Sequence, residues 1–358
     1  MCGTVGMFVG CQVLTFCPKR QLLGAPASDP DTQAAAAGAE AGYRSPLRSW
    51  HERAAVRTAP RRHVHDDGDM VYFSPDLVPV AAHPLVRSLP DPIFRQILIQ
   101  HLYRYLDFTA KLESIVVNWA VLGIANGTVG VDIPTEMRLD AHKIYCDEAY
   151  HTLLSADLAR QVELATGVRP RLPDQPFFLR RLAQIQAEVP TEDRALVELL
   201  FVVISETLIS ATLAEIPDRA GVVSAVRETV TDHAADEGRH HAYFAIFLRM
   251  LWGQLTPVER SRAGLWVPRL TDAFLRPDLP AIRAELTDYC MRAEDIDTVL
   301  GEVFPKDVVA AHRTLVARQT IRYFAELDAF GTAQSQQELA AYGFRVPLAS
   351  RGRANDDR

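Results

Sequence analysis

Cysteine is scarce in this 358-residue chain. Its five residues, Cys2, Cys11, Cys17, Cys146 and Cys290, are odd in number and nowhere spaced as CxxC. That argues against a disulfide scaffold, a zinc ribbon or an iron–sulfur cysteine set, and fits a reduced, cytoplasmic interior. Cys146 is expected to be a small buried residue rather than a nucleophile. A glycine-rich phosphate loop and a GxGxxG turn are also missing, so no nucleotide or flavin fingerprint is present. No block of basic residues stands out against a formal charge of -7, which argues against a nucleic-acid partner. No apolar run reaches eighteen residues free of charge. Leu112–Val131 and Leu196–Leu213 come nearest, but each holds a glutamate and reads as a buried helix, so no membrane partner is expected.

What is present is helical periodicity, from just after Pro92 to about Phe330. The stretch before it is of another kind. Met1–Cys17 is apolar but has no Lys or Arg ahead of its apolar run, and Gly24–Pro46 is rich in Ala, Gly, Ser and Pro. Residues 1–50 are therefore expected to form a disordered leader. The first helix runs from about Ile93 to Ile124 and ends at Asn126–Gly127. The second follows Pro134, with Thr135 as N-cap, and runs to Gly167. A proline-rich crossover with a short helix near Phe178–Gln186 leads to a third helix, capped by Thr191 and stopping before Pro217. The fourth runs from near Ala220 to about Leu251. Two short connections and one long crossover give an all-α fold, a ferritin-like four-helix bundle. Additional C-terminal helices follow, broken at Pro268, Pro277, Pro280 and Pro305. One domain over residues 51–335 and a tail over 336–358 complete the expected organisation.

Chemistry concentrates on the four bundle helices. The second carries Glu148-Ala149-Tyr150-His151 and the fourth carries Glu237-Gly238-Arg239-His240. Positions three apart share a helix face, so each ExxH aims one carboxylate and one imidazole at the same point. The first and third helices add Glu113 and Glu206, each on an otherwise apolar stripe where an unpaired charge costs several kcal/mol. Glu, ExxH, Glu, ExxH along four successive helices is the ligand plan of di-iron and di-manganese carboxylate bundles. His233, four residues before Glu237, falls on the same stripe and extends the metal set to Glu113, Glu148, His151, Glu206, His233, Glu237 and His240. Asp147 and Asp236, each one turn before a histidine, are candidate acceptors for the outer ring N–H of a ligating imidazole, in the same helix or across the bundle. The neighbouring His241 points about 100° away from His240 and is no obvious ligand. His63-Val64-His65-Asp66 follows Arg61-Arg62 in a polar stretch and is expected to be exposed.

The pattern of a lone Glu, an ExxH, a second lone Glu and a final HxxxExxH resembles that of the di-iron N-oxygenases typified by the p-aminobenzoate N-oxygenase of aureothin biosynthesis. The resemblance covers roughly residues 90 to 330. It implies a homodimer that binds two iron ions, uses O2 as co-substrate and oxidises an aromatic amine towards hydroxylamine, nitroso and nitro products in antibiotic or other natural-product biosynthesis.

Four carboxylates and three imidazoles form an oxygen-rich site suited to iron or manganese, and two Fe(II) ions balance the four negative charges. Without metal the four carboxylates should crowd one another and their pKa values should rise. With no redox motif in the chain, electrons are expected from an external reductase or electron carrier. The amine is expected as a small molecule or tethered to a carrier, with Arg104, Thr109 and Asn118 as possible contacts and Arg239 and Arg249 as further polar candidates. No side chain is expected to act catalytically beyond the metal ligands. C–H hydroxylation or desaturation by the same cluster is the competing enzymatic reading, and a tyrosyl radical near Tyr145 or Tyr150 a further one. Iron storage or a structural bundle is the non-enzymatic alternative.

Overall fold

A computed structural model of the chain describes residues 42–65, 68–213 and 221–346. Among these the secondary structure is helical with no strand, apart from an isolated parallel bridge between Val71 and Val222. The leader expected over residues 1–50 lies outside the described residues as far as residue 41. From residue 42 onward that expectation is corrected. Leu47 and Trp50 are buried, and the segment continues into two one-turn helices, α1 (Trp50–Arg53) and α2 (Ala55–Thr58), laid across the bundle as a strap. The tail expected from residue 336 also folds back, because Leu339 and Phe344 are buried in the core; residues 347–358 lie outside the described set.

After a one-turn α3 (Pro84–Arg87), the bundle consists of α4 (Asp91–Lys111) continuing into α5 (Asn118–Ala125), α6 (Thr135–Thr166), α8 (Arg194–Leu213) and α9 (Ser224–Gln254). The α4–α5 rod packs on α6, α8 packs on α9, and α6 meets α9 to join the two pairs. The crossover from α6 to α8 contains α7 (Phe177–Glu188). Helices α10 (Pro257–Leu275), α11 (Leu279–Asp288), α12 (Ala293–Val303), α13 (Lys306–Glu326) and α14 (Ala333–Ala341) follow.

Proline and glycine mark most boundaries. Proline stands at or next to the first residue of α4, α6, α7 and α13, where its missing N–H costs nothing. Gly167 closes α6 in the left-handed conformation, φ 68°, with its N–H on the Glu163 carbonyl. Three local expectations change. Thr135 is the first helical residue of α6 rather than its cap, and Thr191 opens a 3-10 turn, Thr191–Asp193, ahead of α8. Pro268 does not break a helix but lies buried inside α10. A proline removes only one donor and already has a helical φ, and the buried neighbours Ala263, Val267, Leu270 and Phe274 hold the helix together around it.

The long rod is not a uniform helix. Leu112–Val117 is a π-helical segment between α4 and α5. By length and composition the rod Asp91–Ala125 could cross a membrane, yet 56% of its apolar window is buried inside the protein, as its glutamate suggested. The crossover is fixed to the bundle by an aromatic cluster. Phe108 of α4, Phe178 of α7, Phe201 of α8 and Phe274 of α10 have ring centroids 4.8 to 6.4 Å apart. Phe201 is wholly buried at its centre. Phe201→Ala should lower the unfolding free energy by about 3–5 kcal/mol, the usual cost of emptying a buried phenylalanine site. Urea denaturation measures it, and a loss below about 1 kcal/mol would show that the crossover is not anchored there.

Candidate metal centre

The π segment explains how one carboxylate reaches the bundle axis. In a π turn the hydrogen bonds run to the fifth residue and the backbone bulges, a distortion that recurs at functional sites. Glu113 sits inside it, buried, flanked by the apolar Leu112, Val116 and Val117. The ordinary helices α6, α8 and α9 carry the rest at the three- and four-residue spacings that keep side chains on one face. Glu148 and His151, Glu206, and His233, Glu237 and His240 are each no more than 4% exposed.

The geometry separates these residues into two overlapping groups. Glu113, His151, His233 and Glu237 offer ligand atoms within 4.8 Å of one another, and so do Glu148, Glu237 and His240. In the first group His233 Nε2 lies 2.9 Å from Glu113 Oε1 and 3.1 Å from Glu237 Oε1. In the second, His240 Nδ1 lies 2.8 Å from Glu148 Oε1 and 3.3 Å from Glu237 Oε1. The two ExxH glutamates reach across both, since His151 Nδ1 is 3.5 Å from Glu148 Oε2 and 3.6 Å from Glu237 Oε1. Glu237 belongs to both groups, and Glu148 of the second lies 3.5 Å from His151 of the first. Glu206 is in neither group, but it is buried and near enough to Glu237, Glu148, His240 and Glu113 to feel their charge.

The two aspartates are placed across the bundle rather than within their own helices. His151 Nε2–H donates to Asp236 Oδ2 at 3.0 Å, and His240 Nε2–H donates to Asp147 Oδ2 at 3.2 Å. Both rings are thereby turned so that Nδ1 faces the carboxylates, whereas His233 presents Nε2. Each aspartate is itself held, as the outer partner of a metal-binding histidine must be. The Trp50 indole N–H donates to both oxygens of Asp147, at 2.8 and 2.9 Å. The Ala55 backbone N–H donates to Asp236 at 3.1 Å, and Arg239 pairs with the same carboxylate. Neither Trp50 nor Ala55 was visible as a site residue in the sequence, because the strap precedes the bundle by dozens of residues and carries no metal-ligand pattern. Its one legible signal was a tryptophan in an otherwise polar, arginine-rich stretch.

The remaining sequence candidates divide. Thr109 and Asn118 are buried on α4 and α5; the Thr109 hydroxyl meets that of Tyr105, while Asn118 Oδ1 has no hydrogen-bond partner. Arg104 is instead spent on an ion pair with the buried Glu285 at 2.5 Å, so it is not a free substrate contact. Arg249 is exposed on Glu326. His241 bonds the Tyr323 hydroxyl at 2.9 Å, away from the cluster. His63 and His65 are exposed. So is Cys146, contrary to expectation, since it follows Tyr145 on the outer face of α6.

A metal ion fits this donor set on a direct observation. Glu113 and Glu148 with both oxygens, Glu206 with Oε2, and His151 and His240 with Nδ1 are buried atoms that make no well-aligned hydrogen bond, several of them meeting only one another as ion pairs. Buried polar atoms are almost always satisfied, and convergent exceptions signal an ion. Electrostatics point the same way. Burial pushes Glu113 up to about 7, against the pull of His233, and lifts Glu206 well above the carboxylate range with help from Glu237 and Glu148. Burial also acts on Glu148 and Glu237, but His240 with its neighbouring imidazoles overrides it and holds both below 4.5. The expected rise thus applies to two carboxylates and not to the other two, which take their counter-charge from the histidines. Burial lowers each imidazole, but the carboxylates more than compensate, lifting His233 to about 9 and His151 and His240 well above 6.5.

Compared with protein-family models, residues 37–304 match the one described as p-aminobenzoate N-oxygenase AurF. The match takes in the strap and all seven clustered side chains. No curated protein matches the chain.

The protons held by this cluster set a pH dependence. Between 4.5 and about 7 folded Glu113 binds a proton that the unfolded chain has lost, and between 6.5 and about 9 His233 does the same. Both contributions to stability therefore fall as pH rises. Metal takes the place of those protons. The gap in Tm between Mn(II)-loaded and metal-free protein should widen steadily from pH 5 to pH 8.5, as differential scanning calorimetry can measure. A gap that is constant or shrinks with pH would contradict proton–metal exchange at these groups.

Proposed function

Because the chain belongs to the p-aminobenzoate N-oxygenase family, and is a di-iron N-oxygenase by that membership, we propose that its two irons are held by the seven clustered residues and that its substrate is an aromatic amine. The observation that carries the assignment is His233. Its Nε2 faces Glu113 and Glu237 at 2.9 and 3.1 Å, adding a third imidazole to a four-carboxylate cluster. Glu113, His151, His233 and Glu237 would hold one iron and Glu148, Glu237 and His240 the other, with Glu206 as a further carboxylate donor. When bound, the irons supply the electrons and positive charge that activate dioxygen.

The protein's own part is positioning and exclusion of water. Asp147 and Asp236 fix ring orientation and keep the outer N–H of His240 and His151 in place, which leaves Nδ1 unprotonated towards the metals. All seven side chains are cut off from solvent, so the cluster excludes water. Asn118 Oδ1, buried and unpartnered, and the buried Thr109 hydroxyl, both on the rod that carries Glu113, are the polar groups we assign to orienting the amine. A small or carrier-tethered amine suits these neutral contacts. Electrons would come from an external donor. Leu139 and Leu153, exposed apolar residues on α6, are positions a homodimer interface would cover. The unpaired Cys146 and Cys290 agree with a cytoplasmic setting.

His233→Ala should retain most metal binding, since six donors remain. It should lower N-oxygenation by at least ~10-fold, the lower range for loss of a metal-site interaction. Mass spectrometry of hydroxylamine, nitroso and nitro products from a panel of aryl and alkyl amines measures this. Native rates and products in the variant would overturn the role given to His233. Products only of C–H oxidation from the native protein would overturn the substrate class.

A further inference from the structure

The strap that caps the metal centre is also the most basic part of the protein. Residues 43–65 contain Arg44, Arg48, Arg53, Arg57, Arg61 and Arg62 against the single carboxylate Glu52, in a chain of formal charge -7. Arg61 and Arg62 are neutralised by Asp157 and by Glu228 and Asp232. Arg44, Arg48, Arg53 and Arg57 are exposed and make no ion pair among the described residues. The concentration does not stand out in the sequence because the four exposed arginines are four or five residues apart.

Trp50 lies in the middle of these four arginines. It is 8% exposed, with the His51 ring edge-on at 5.1 Å and the Arg57 guanidinium 5.7 Å from its own ring. Inward, its indole N–H donates to Asp147 at 2.8 Å, Asp147 accepts from His240 at 3.2 Å, and His240 Nδ1 faces Glu148 at 2.8 Å. The second chain, from His151 through Asp236, ends on the Ala55 amide of the same strap. Both outward hydrogen-bonded routes from the ligand cluster therefore end on this one basic segment.

Resting on the di-iron reading, we propose that this face is the docking surface of the electron donor. The donor is an acidic one-electron carrier protein of the iron–sulfur type, and its electrons pass inward across Trp50, Asp147 and His240. Four exposed positive charges on an acidic protein steer a negatively charged partner to this face and away from the rest of the surface. The electron count closes with two carriers per cycle. Each reduced [2Fe–2S] carrier gives up one electron and is oxidised, and two such transfers convert two Fe(III) to two Fe(II). A carrier protein delivering the amine would use the same charge complementarity, but the groups assigned to the amine, Thr109 and Asn118, lie on α4 and α5, not on the strap.

The test uses the full iron-loaded chain and a reduced plant-type [2Fe–2S] ferredoxin as probe. Binding is followed by surface plasmon resonance and reduction by stopped-flow absorbance. The triple variant R44E/R48E/R53E should lose at least ~10-fold in both affinity and reduction rate, and the native values should fall as salt is raised. Trp50→Phe should keep the affinity and lose at least ~10-fold in reduction rate, because the charged face is intact while the indole N–H link to Asp147 is gone. Photoreduced deazaflavin, a small neutral reductant, should reduce native protein and triple variant equally. Equal ferredoxin binding and reduction in the native and triple-variant proteins would overturn the proposal, as would failure of the native protein to bind ferredoxin. A triple variant that is reduced normally but no longer turns over a carrier-tethered amine would assign the face to substrate delivery and also overturn it. Failure of the native protein to hold iron or to accept electrons from deazaflavin would sink the di-iron reading instead. Ferredoxin binding, which needs no iron, would still be read in that case.

Discussion

Four carboxylates and three imidazoles share one dry volume at the centre of the bundle, and the rest of the structure follows from that constraint. Burial opposes every charge in the cluster, and the seven groups only partly neutralise one another. Two of the carboxylates borrow charge from the histidines, while burial raises the pKa values of Glu113 and Glu206 above the usual carboxylate range. An arrangement so costly as a bare protein becomes favourable with divalent metal, which supplies four positive charges to four carboxylates and needs unprotonated donors. Folding and metal binding are therefore one problem in this protein.

The scaffold meets that demand with three devices. The bundle provides four helices whose inner faces converge, the π segment moves Glu113 into line with them, and the strap fixes the outer groups. Crossing the aspartates over the bundle has a mechanical consequence. The ring carried by α6 is held by α9 and the ring carried by α9 is held by α6, so neither histidine can rotate without disturbing the opposite helix. The strap then ties both aspartates to a single short segment. Orientation of the ligands depends in this way on residues far from them in sequence.

How much of this was legible beforehand follows from the range of the signals. Residues that share a helix face announce themselves at three- and four-residue spacing, so the two ExxH pairs, the placement of His233 and the apolar setting of Glu113 and Glu206 could be read directly. The crossover and the bundle order were legible from prolines and from helix lengths. The π bulge was not, since nothing in Leu112–Val117 differs from ordinary helical composition and only the demand for a carboxylate at the bundle axis distinguishes it. Trp50 and Ala55 were hidden because their partners lie 97 and 181 residues away. Arg104 misled for a related reason: its position on the rod suggested a pocket, but Glu285 of α11 reaches it first.

The central proposal is that two irons would be held by the two groups that share Glu237, with the histidines divided two and one. Anomalous scattering from crystals of the iron-loaded protein tests it most directly. The account predicts two iron peaks per chain, one ligated by His151 Nδ1 and His233 Nε2 and the other by His240 Nδ1, with Asp147 and Asp236 still bonded to the outer nitrogens. A single peak, or two peaks with His233 turned away from both, would contradict it.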